Sequence, residues 1–217
     1  MINEDSKVNM IKQQLRTGDV LNEDVLGLFD KVCRADFVPT GMHAFAYSDM
    51  QIPLMHGQRM MTPLEEGKIL QALNLQGNEN ILEIGTGTGF LTALLALMGK
   101  NVISIDYYAD FTRMAAQNLA KSGINNVELI TGDAYSGWME SAPYDVIVFT
   151  GAIEQVTDGL KLQVMPGGKL FVIVGNEPIM QGQLHSLDHQ DNWQHELLFE
   201  TSIPPLINKL KPGTFVF

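Results

Sequence analysis

Cysteine is almost missing from this chain: Cys33 is the only one in 217 residues. No internal disulfide can form, and the expected setting is a reducing cytoplasm. Basic residues are scarce too. Lys and Arg total 14 against 25 Asp and Glu, a formal net charge of -11. Phosphate backbones and anionic membrane surfaces both call for a basic footprint, so neither nucleic acid nor a membrane is an expected partner. Long apolar runs are also lacking. The longest, Leu91 to Met98, is far too short to span a bilayer. Met1 to Asp19 mixes charges with single apolar residues and builds no core of signal-peptide type. What is present, 45% hydrophobic and 18% charged residues, suits a soluble globular protein with one large core. The expectation is a single domain over residues 1–217. Nothing in composition speaks to oligomeric state.

Apolar residues recur at helical spacing from Val8 to Leu28 and are interrupted at Thr17-Gly18-Asp19, which predicts two short amphipathic helices. Residues 40–61 have no clear period, and a long irregular segment in a compact domain is usually a functional one. Thr62-Pro63-Leu64-Glu65 is a helix start: a threonine cap, proline at the first helical position and a glutamate that completes a capping box. This helix is expected to run to about Leu73. Strands then alternate with helices. Strands are expected over Asn80–Ile84, Asn101–Ile105, Val127–Thr131, Tyr144–Phe149 and Lys169–Val174. Helices are expected over Phe90–Met98, Asp110–Lys121 and near Glu154–Leu162. Such alternation means an α/β fold with a doubly wound, mostly parallel sheet. Gln181–Leu187 and Gln194–Thr201 flank a polar turn and read as an antiparallel C-terminal hairpin. The chain thus divides into N-terminal helices and an irregular segment (1–61), a core (62–175) and a C-terminal hairpin and tail (176–217).

The chemistry concentrates in Ile81-Leu82-Glu83-Ile84-Gly85-Thr86-Gly87-Thr88-Gly89-Phe90. An apolar strand ends in glycines and opens into a helix, which allows close backbone approach to a ligand at a helix N-terminus. A dinucleotide fingerprint needs G-x-G-x-x-G, and Phe90 breaks that spacing; a P-loop would need Gly-Lys-Ser/Thr. The pattern Glu83-x-Gly85-x-Gly87-x-Gly89 instead resembles the first motif of class I methyltransferases that use S-adenosylmethionine. Asp106 ends the next strand, where a carboxylate can accept both ribose hydroxyls. Asp133 follows the third strand, placed for an adenine amino group. Three acids at successive strand ends point to a nucleoside ligand.

The likeness extends further. Asn9 to Leu15, Val20 to Leu28 and Val32-Cys33-Arg34-Ala35-Asp36-Phe37-Val38-Pro39 resemble the N-terminal region of protein-L-isoaspartate O-methyltransferases. Ala46-Tyr47-Ser48-Asp49 and Ile52 to Gln58 are similar to that family's "AY-D…LPIG-GQ" segment. Leu82 to Phe90 is similar to its "LEIGTGSGY", Gly132 to Trp138 to its "GDGYQGW", and Ile203-Pro204-Pro205-Leu206 to its "VPL". The resemblance implies a Rossmann-like methyltransferase with a seven-stranded sheet, S-adenosylmethionine as cofactor and an isoaspartyl protein or peptide as substrate. It implies donor contacts from Glu83, Ile84, Gly85, Thr86 and Gly87, from Asp106 and Tyr107, and from Gly132, Asp133, Ala134 and Thr150. Ile52, Pro53, His56, Gln58 and Met61, with Pro205 and Leu206, would contact the acceptor. One departure stands out: where the family has "TISQP", this chain has Arg59-Met60-Met61-Thr62-Pro63, so Met61 occupies the place of a serine implicated at the active site. The neighbouring hydroxyl of Thr62, also the expected helix cap, and the carboxylate of Asp49 are the candidate catalytic residues.

An isoaspartyl carboxylate has a pKa of about 4 and is ionised at pH 7 without a base, so the absence of an obvious general base suits carboxyl methylation. Two alternatives share the scaffold: a methyltransferase with another acceptor, and a cofactor-binding homologue with weakened or lost repair activity. His185, His189 and His195 flank an exposed turn, with no cysteine to join them, and read as surface residues; no metal site is expected. Cys33 reads as a small buried hydrophobe. The methionines at 42, 50, 55, 60 and 61 are either core filler or an apolar acceptor pocket.

Overall fold

The computed structural model describes residues 4–207, so the tail assigned to the C-terminal segment beyond Ile207 lies outside the described residues. Helix α1 (Glu4–Asn9) continues through a wider π-type turn, Met10–Leu15, which carries the buried Met10 and Leu15. The chain reverses at Asp19, in the left-handed region at φ 68°. It re-enters a helix at α2 (Glu23–Lys31), where the Asn22 side chain accepts from the amides of Asp24 and Val25. The interruption at 17–19 was legible because glycine and aspartate tolerate that turn.

The segment expected to be irregular, 40–61, is ordered by a short 3-10 turn (Thr40–Phe45) and a small antiparallel hairpin, and another such turn (Arg34–Phe37) precedes it. The hairpin pairs β1 (Ile52–Pro53) with β2 (Arg59–Met60). Its tip needs two successive left-handed residues, His56 at φ 57° and Gly57 at φ 69°.

The core follows as α3 (Pro63–Leu73), β3 (Asn80–Ile84), α4 (Phe90–Met98), β4 (Asn101–Asp106), α5 (Ala109–Lys121) and β5 (Val127–Thr131). After these come β6 (Tyr144–Ile153), α6 (Asp158–Lys161), β7 (Val164–Asn176), β8 (Ile179–Leu187) and β9 (Trp193–Thr201). Seven strands form one sheet in the order β5-β4-β3-β6-β7-β8-β9, parallel from β5 to β7 and antiparallel from β7 to β9. The expected sheet and C-terminal hairpin are therefore present.

Alternation along the strands separates two cores. Ile81, Val146, Val148 and Phe171 face α2 to α5, with Phe29, Phe37, Phe90 and Leu94 across from them. Leu82, Ile84, Ile147, Phe149 and Leu170 face the other way, under Leu160 of α6 and the loop carrying Ala134 and Trp138.

Three elements of the core differ from expectation. Strands β6 and β7 are longer than their apolar runs, because Ala152 pairs with Ile173 and Tyr144 pairs with Val164. Pro166-Gly167-Gly168 is absorbed as an irregularity within β7, where local reading saw only a break. Helix α6 is a single turn that starts late, since Thr157 caps it by accepting from the amide of Leu160. No helix among the described residues is long and apolar enough to cross a membrane.

Candidate active site

Strand order reverses around β3. From there the chain moves to β4 and β5 on one side, then to β6 and β7 on the other. Such a switch point leaves a crevice beyond the carboxyl ends of the strands. A cleft lies there, lined by the ends of β3, β4 and β6, by the loop after β5 and by the chain at 203–207.

The glycine loop shapes its floor. Gly85 has φ 99°, and a Cβ there would lie 2.1 Å from the Thr150 hydroxyl, so only glycine fits. Thr150 Oγ1 donates to the Gly85 carbonyl (2.6 Å), and the Gly85 amide donates to the Ile105 carbonyl (2.8 Å). Asp106 is 7% exposed and spans two backbone groups. One oxygen accepts from the Gly87 amide (2.9 Å) and the other from the Tyr108 amide (2.9 Å). Each carboxylate oxygen can accept a second bond, so both remain able to receive ligand hydroxyls. Burial pushes the Asp106 carboxyl up, while the two amides and His56 pull it down. Asp133 is exposed at the cleft and accepts from the Tyr135 amide (3.2 Å). Its loop is held by the buried Gln163, which accepts from the Trp138 amide (2.7 Å) and donates to the Ser136 carbonyl (2.8 Å).

Glu83 behaves differently. It points to the helix-covered face of β3 and is fully buried. One oxygen, Oε2, accepts from the hydroxyls of Thr92 and Ser104 (2.6 Å for Ser104), and Ser104 accepts in turn from Thr86 (2.6 Å). The other, Oε1, has no partner. Burial pushes this carboxyl up to about 7 against those hydrogen bonds. Glu83 and Thr86 line a second, inner pocket of about 360 Å³, which shares Leu54, Arg59, Gly85, Gly87 and Thr150 with the cleft. Met61, 4% exposed, also lines the inner pocket, and its carbonyl accepts from Arg34. Arg34 forms a buried ion pair with Glu66, whose carboxyl burial raises to about 8 although Arg34 lowers it.

Of the expected donor contacts, Ile84, Gly85, Gly87, Asp106, Tyr107, Gly132, Asp133, Ala134 and Thr150 all line the cleft. Of the expected acceptor contacts, Gln58 and Leu206 also line it. The amide of Leu206 donates to the Ala152 carbonyl (2.9 Å), which fastens the C-terminal segment over β6. Other expected residues lie elsewhere. Ile52 is buried in the core below the hairpin. Pro53 is exposed, and Pro205 bridges to Ala152. His56 lines neither pocket. Its ring stacks on Tyr108 (3.9 Å between centroids, 5° between planes), and Nε2 lies 3.3 Å from Asp110. The hairpin tip is thereby fixed to the start of α5.

Asp49 is exposed and lines neither pocket. Thr62 occupies a separate groove beside β9. Its hydroxyl accepts from the Glu65 amide (3.1 Å), and the Glu65 carboxylate accepts from the Thr62 amide (2.7 Å), the full capping box. Reading the sequence missed Leu54, Arg59, Tyr108, Phe111 and Tyr135 as lining residues. Tyr108 and Phe111 were signalled by their closeness to Asp106. Leu54 and Arg59 lay in the segment expected to be functional but were not singled out, because their placement depends on how the hairpin folds back. On the far hairpin, His185 and His195 stack at 5.3 Å, and burial pushes His185 down to about 4.

Comparison with known proteins agrees with this geometry. Residues 5–209 match the family model described as protein-L-isoaspartate(D-aspartate) O-methyltransferase. A protein-L-isoaspartate O-methyltransferase 2 of Pelobacter propionicus is 34% identical over 91% of this chain and 88% of its own length. A protein-L-isoaspartate O-methyltransferase of Aliivibrio salmonicida is 32% identical over 94% of this chain and 97% of its own. Among solved structures, a protein-L-isoaspartate O-methyltransferase superposes with a TM-score of 0.78, at 22% identity over 94% of this chain and 67% of its own. Another from Plasmodium falciparum, in complex with S-adenosyl-L-homocysteine, gives 0.78 at 16% identity over 93% and 97%. With its sheet order, its glycine loop and a match across nearly the whole length, this chain belongs to the protein-L-isoaspartate(D-aspartate) O-methyltransferase family.

Proposed function

We propose that this protein methylates the carboxylate of isoaspartyl residues in damaged proteins, with S-adenosylmethionine as donor. The family match over residues 5–209 carries the reading, and the cleft at the switch point supports it. The donor fits the residues present on two observations. At Gly87 a Cβ would meet nothing nearer than Leu54 at 3.8 Å, so its backbone lies open to the cleft, and the buried Glu83 Oε1 lacks a partner beside the inner pocket. Asp106 would take the ribose hydroxyls, Asp133 with the Ala134 loop the adenine, and Glu83 the ammonium of the amino-acid end.

The donor supplies a methyl group already activated on a sulfonium. The protein's residues then have little proton chemistry to perform, because the acceptor is an anion at neutral pH. Their work is alignment and exclusion of water. The β1–β2 hairpin and the segment at 203–207 wall the cleft from two sides, with Leu54 and Leu206 as its apolar rims. Water kept from the sulfonium cannot compete with the carboxylate. The cytoplasm is the location we assign, because a chain with Cys33 as its one cysteine forms no internal disulfide.

Methionine at 61 cannot donate the hydrogen bond that a serine would. Losing such a charge-assisted bond costs about 1.5–3 kcal/mol, roughly one to two powers of ten in rate if it acts only in the transition state. The decisive assay compares methyl transfer to an isoaspartyl peptide and to its ordinary aspartyl twin. Transfer to the isoaspartyl form alone is expected, with Met61→Ser raising the rate about tenfold or more. Transfer to neither peptide, with S-adenosylhomocysteine still bound, would favour another acceptor. An unchanged rate in Met61→Ser would mean that Met61 is not the cause of any weakness.

A further inference from the structure

The two adjoining pockets are lined by Asp106 and Asp133 in the cleft and by Glu83 in the inner pocket, where Glu66 is already paired with Arg34. The whole chain carries a net charge of -11. An anionic acceptor approaching such a site is repelled unless a cation receives it. Among the described residues one basic side chain lines both pockets: Arg59. It is exposed, and among the described residues it makes no hydrogen bond or ion pair. The other arginines are occupied: Arg16 with Glu23, Arg34 with Glu66 and Arg113 with Asp110.

Its position is also held. Arg59 pairs with Pro53 across the β1–β2 hairpin, and the His56–Tyr108 stack ties that hairpin to α5. Two residues on, Met61 offers no donor where the family's serine would stand.

We infer that Arg59 is a specificity-determining residue that receives the acceptor's carboxylate at the junction of the two pockets. This rests on the proposed carboxylate acceptor. A guanidinium matches a carboxylate with two parallel N–H donors and stays charged at every physiological pH. The donor also carries a carboxylate, so the shared chemistry is carboxylate recognition. Exposure at the rim favours the acceptor, which arrives from solvent.

The test uses the full chain, a synthetic isoaspartyl peptide and S-adenosylmethionine, with Arg59→Gln and Arg59→Lys beside the wild type. Arg59→Gln should raise the peptide KM about 10- to 100-fold with a smaller change in kcat. Arg59→Lys should recover only part of that loss, since the charge returns without the fork. S-adenosylhomocysteine affinity, measured by calorimetry, should change less than about twofold, because no donor contact is removed. An active wild type whose peptide KM is unmoved in Arg59→Gln overturns the inference and leaves the proposed activity standing. Weakened S-adenosylhomocysteine binding with an unchanged peptide KM also overturns it, and assigns the guanidinium to the donor's carboxylate. A wild type that binds S-adenosylhomocysteine yet turns over no isoaspartyl peptide removes both the acceptor reading and this role for Arg59.

Discussion

The carboxyl of Glu83 holds two hydroxyl donors on one oxygen and none on the other. Alternation along β3 turns it toward α4, so a residue read from the sequence as a ligand contact is also a buried acid with a pH-dependent cost. Unfolded, it titrates near its ordinary 4.5; folded, burial lifts it to about 7. Between those values the native chain keeps a proton that the unfolded chain has released. Stability therefore falls as pH rises from about 4.5 to about 7 and levels off above. Replacing Glu83 with Gln removes this contribution. The difference in unfolding free energy between pH 5 and pH 7.5 should shrink by about 2 kcal/mol relative to wild type. Urea titrations at the two pH values read it directly, and an unaltered difference would mean that Glu83 is ionised across the range. Asp106 and Asp133, in contrast, sit where a reading of strand ends places them, because a side chain at a strand tip needs only the strand's end to be located.

Helix α3 shows how far local sequence reaches. Thr62, Pro63 and Glu65 specify its start through bonds spanning only three residues, and the full capping box forms. The same closure places the Thr62 hydroxyl in a groove beside β9, away from both pockets. If Thr62 serves as a cap alone, Thr62→Ala should lower stability by about 1 kcal/mol and leave kcat within about twofold of wild type. A large fall in kcat at unchanged stability would return Thr62 to a catalytic role. Chemical denaturation and the methyl-transfer assay, run on one preparation, separate the outcomes. Strands β6 and β7 show the opposite limit. Local reading ended β6 at Phe149 and began β7 at Lys169. The pairs Ala152–Ile173 and Tyr144–Val164 extend them, because hydrogen bonds from a neighbouring strand outweigh weak local preference.

Across the whole molecule, the cleft is closed by parts far apart in the chain. The hairpin at 52–60 covers one side and the segment at 203–207 the other, with the backbone of Leu206 bonded to Ala152. Ligand binding to such an assembled site stabilises the fold by mass action. Saturation with S-adenosylhomocysteine at about 100 times its Kd should add about 2.7 kcal/mol, and so raise the melting temperature by roughly 5–11 °C for a chain of this size. Leu206→Ala, which thins the rim, should reduce the shift at the same ligand concentration. No shift in the wild type, read by calorimetry, would rule out the cleft as the donor site.

Hydrophobic period, capping residues and the glycine spacing were enough to determine the alternating elements, the parallel sheet and the glycine loop, because each depends on residues within a turn or a strand of one another. The acceptor side was decided only in three dimensions. Where Arg59 lies relative to the inner pocket, and that Thr62 and Asp49 lie outside both pockets, depends on how the hairpin tip folds against α5 through His56 and Tyr108. That contact joins residues more than fifty positions apart, and no local pattern records it.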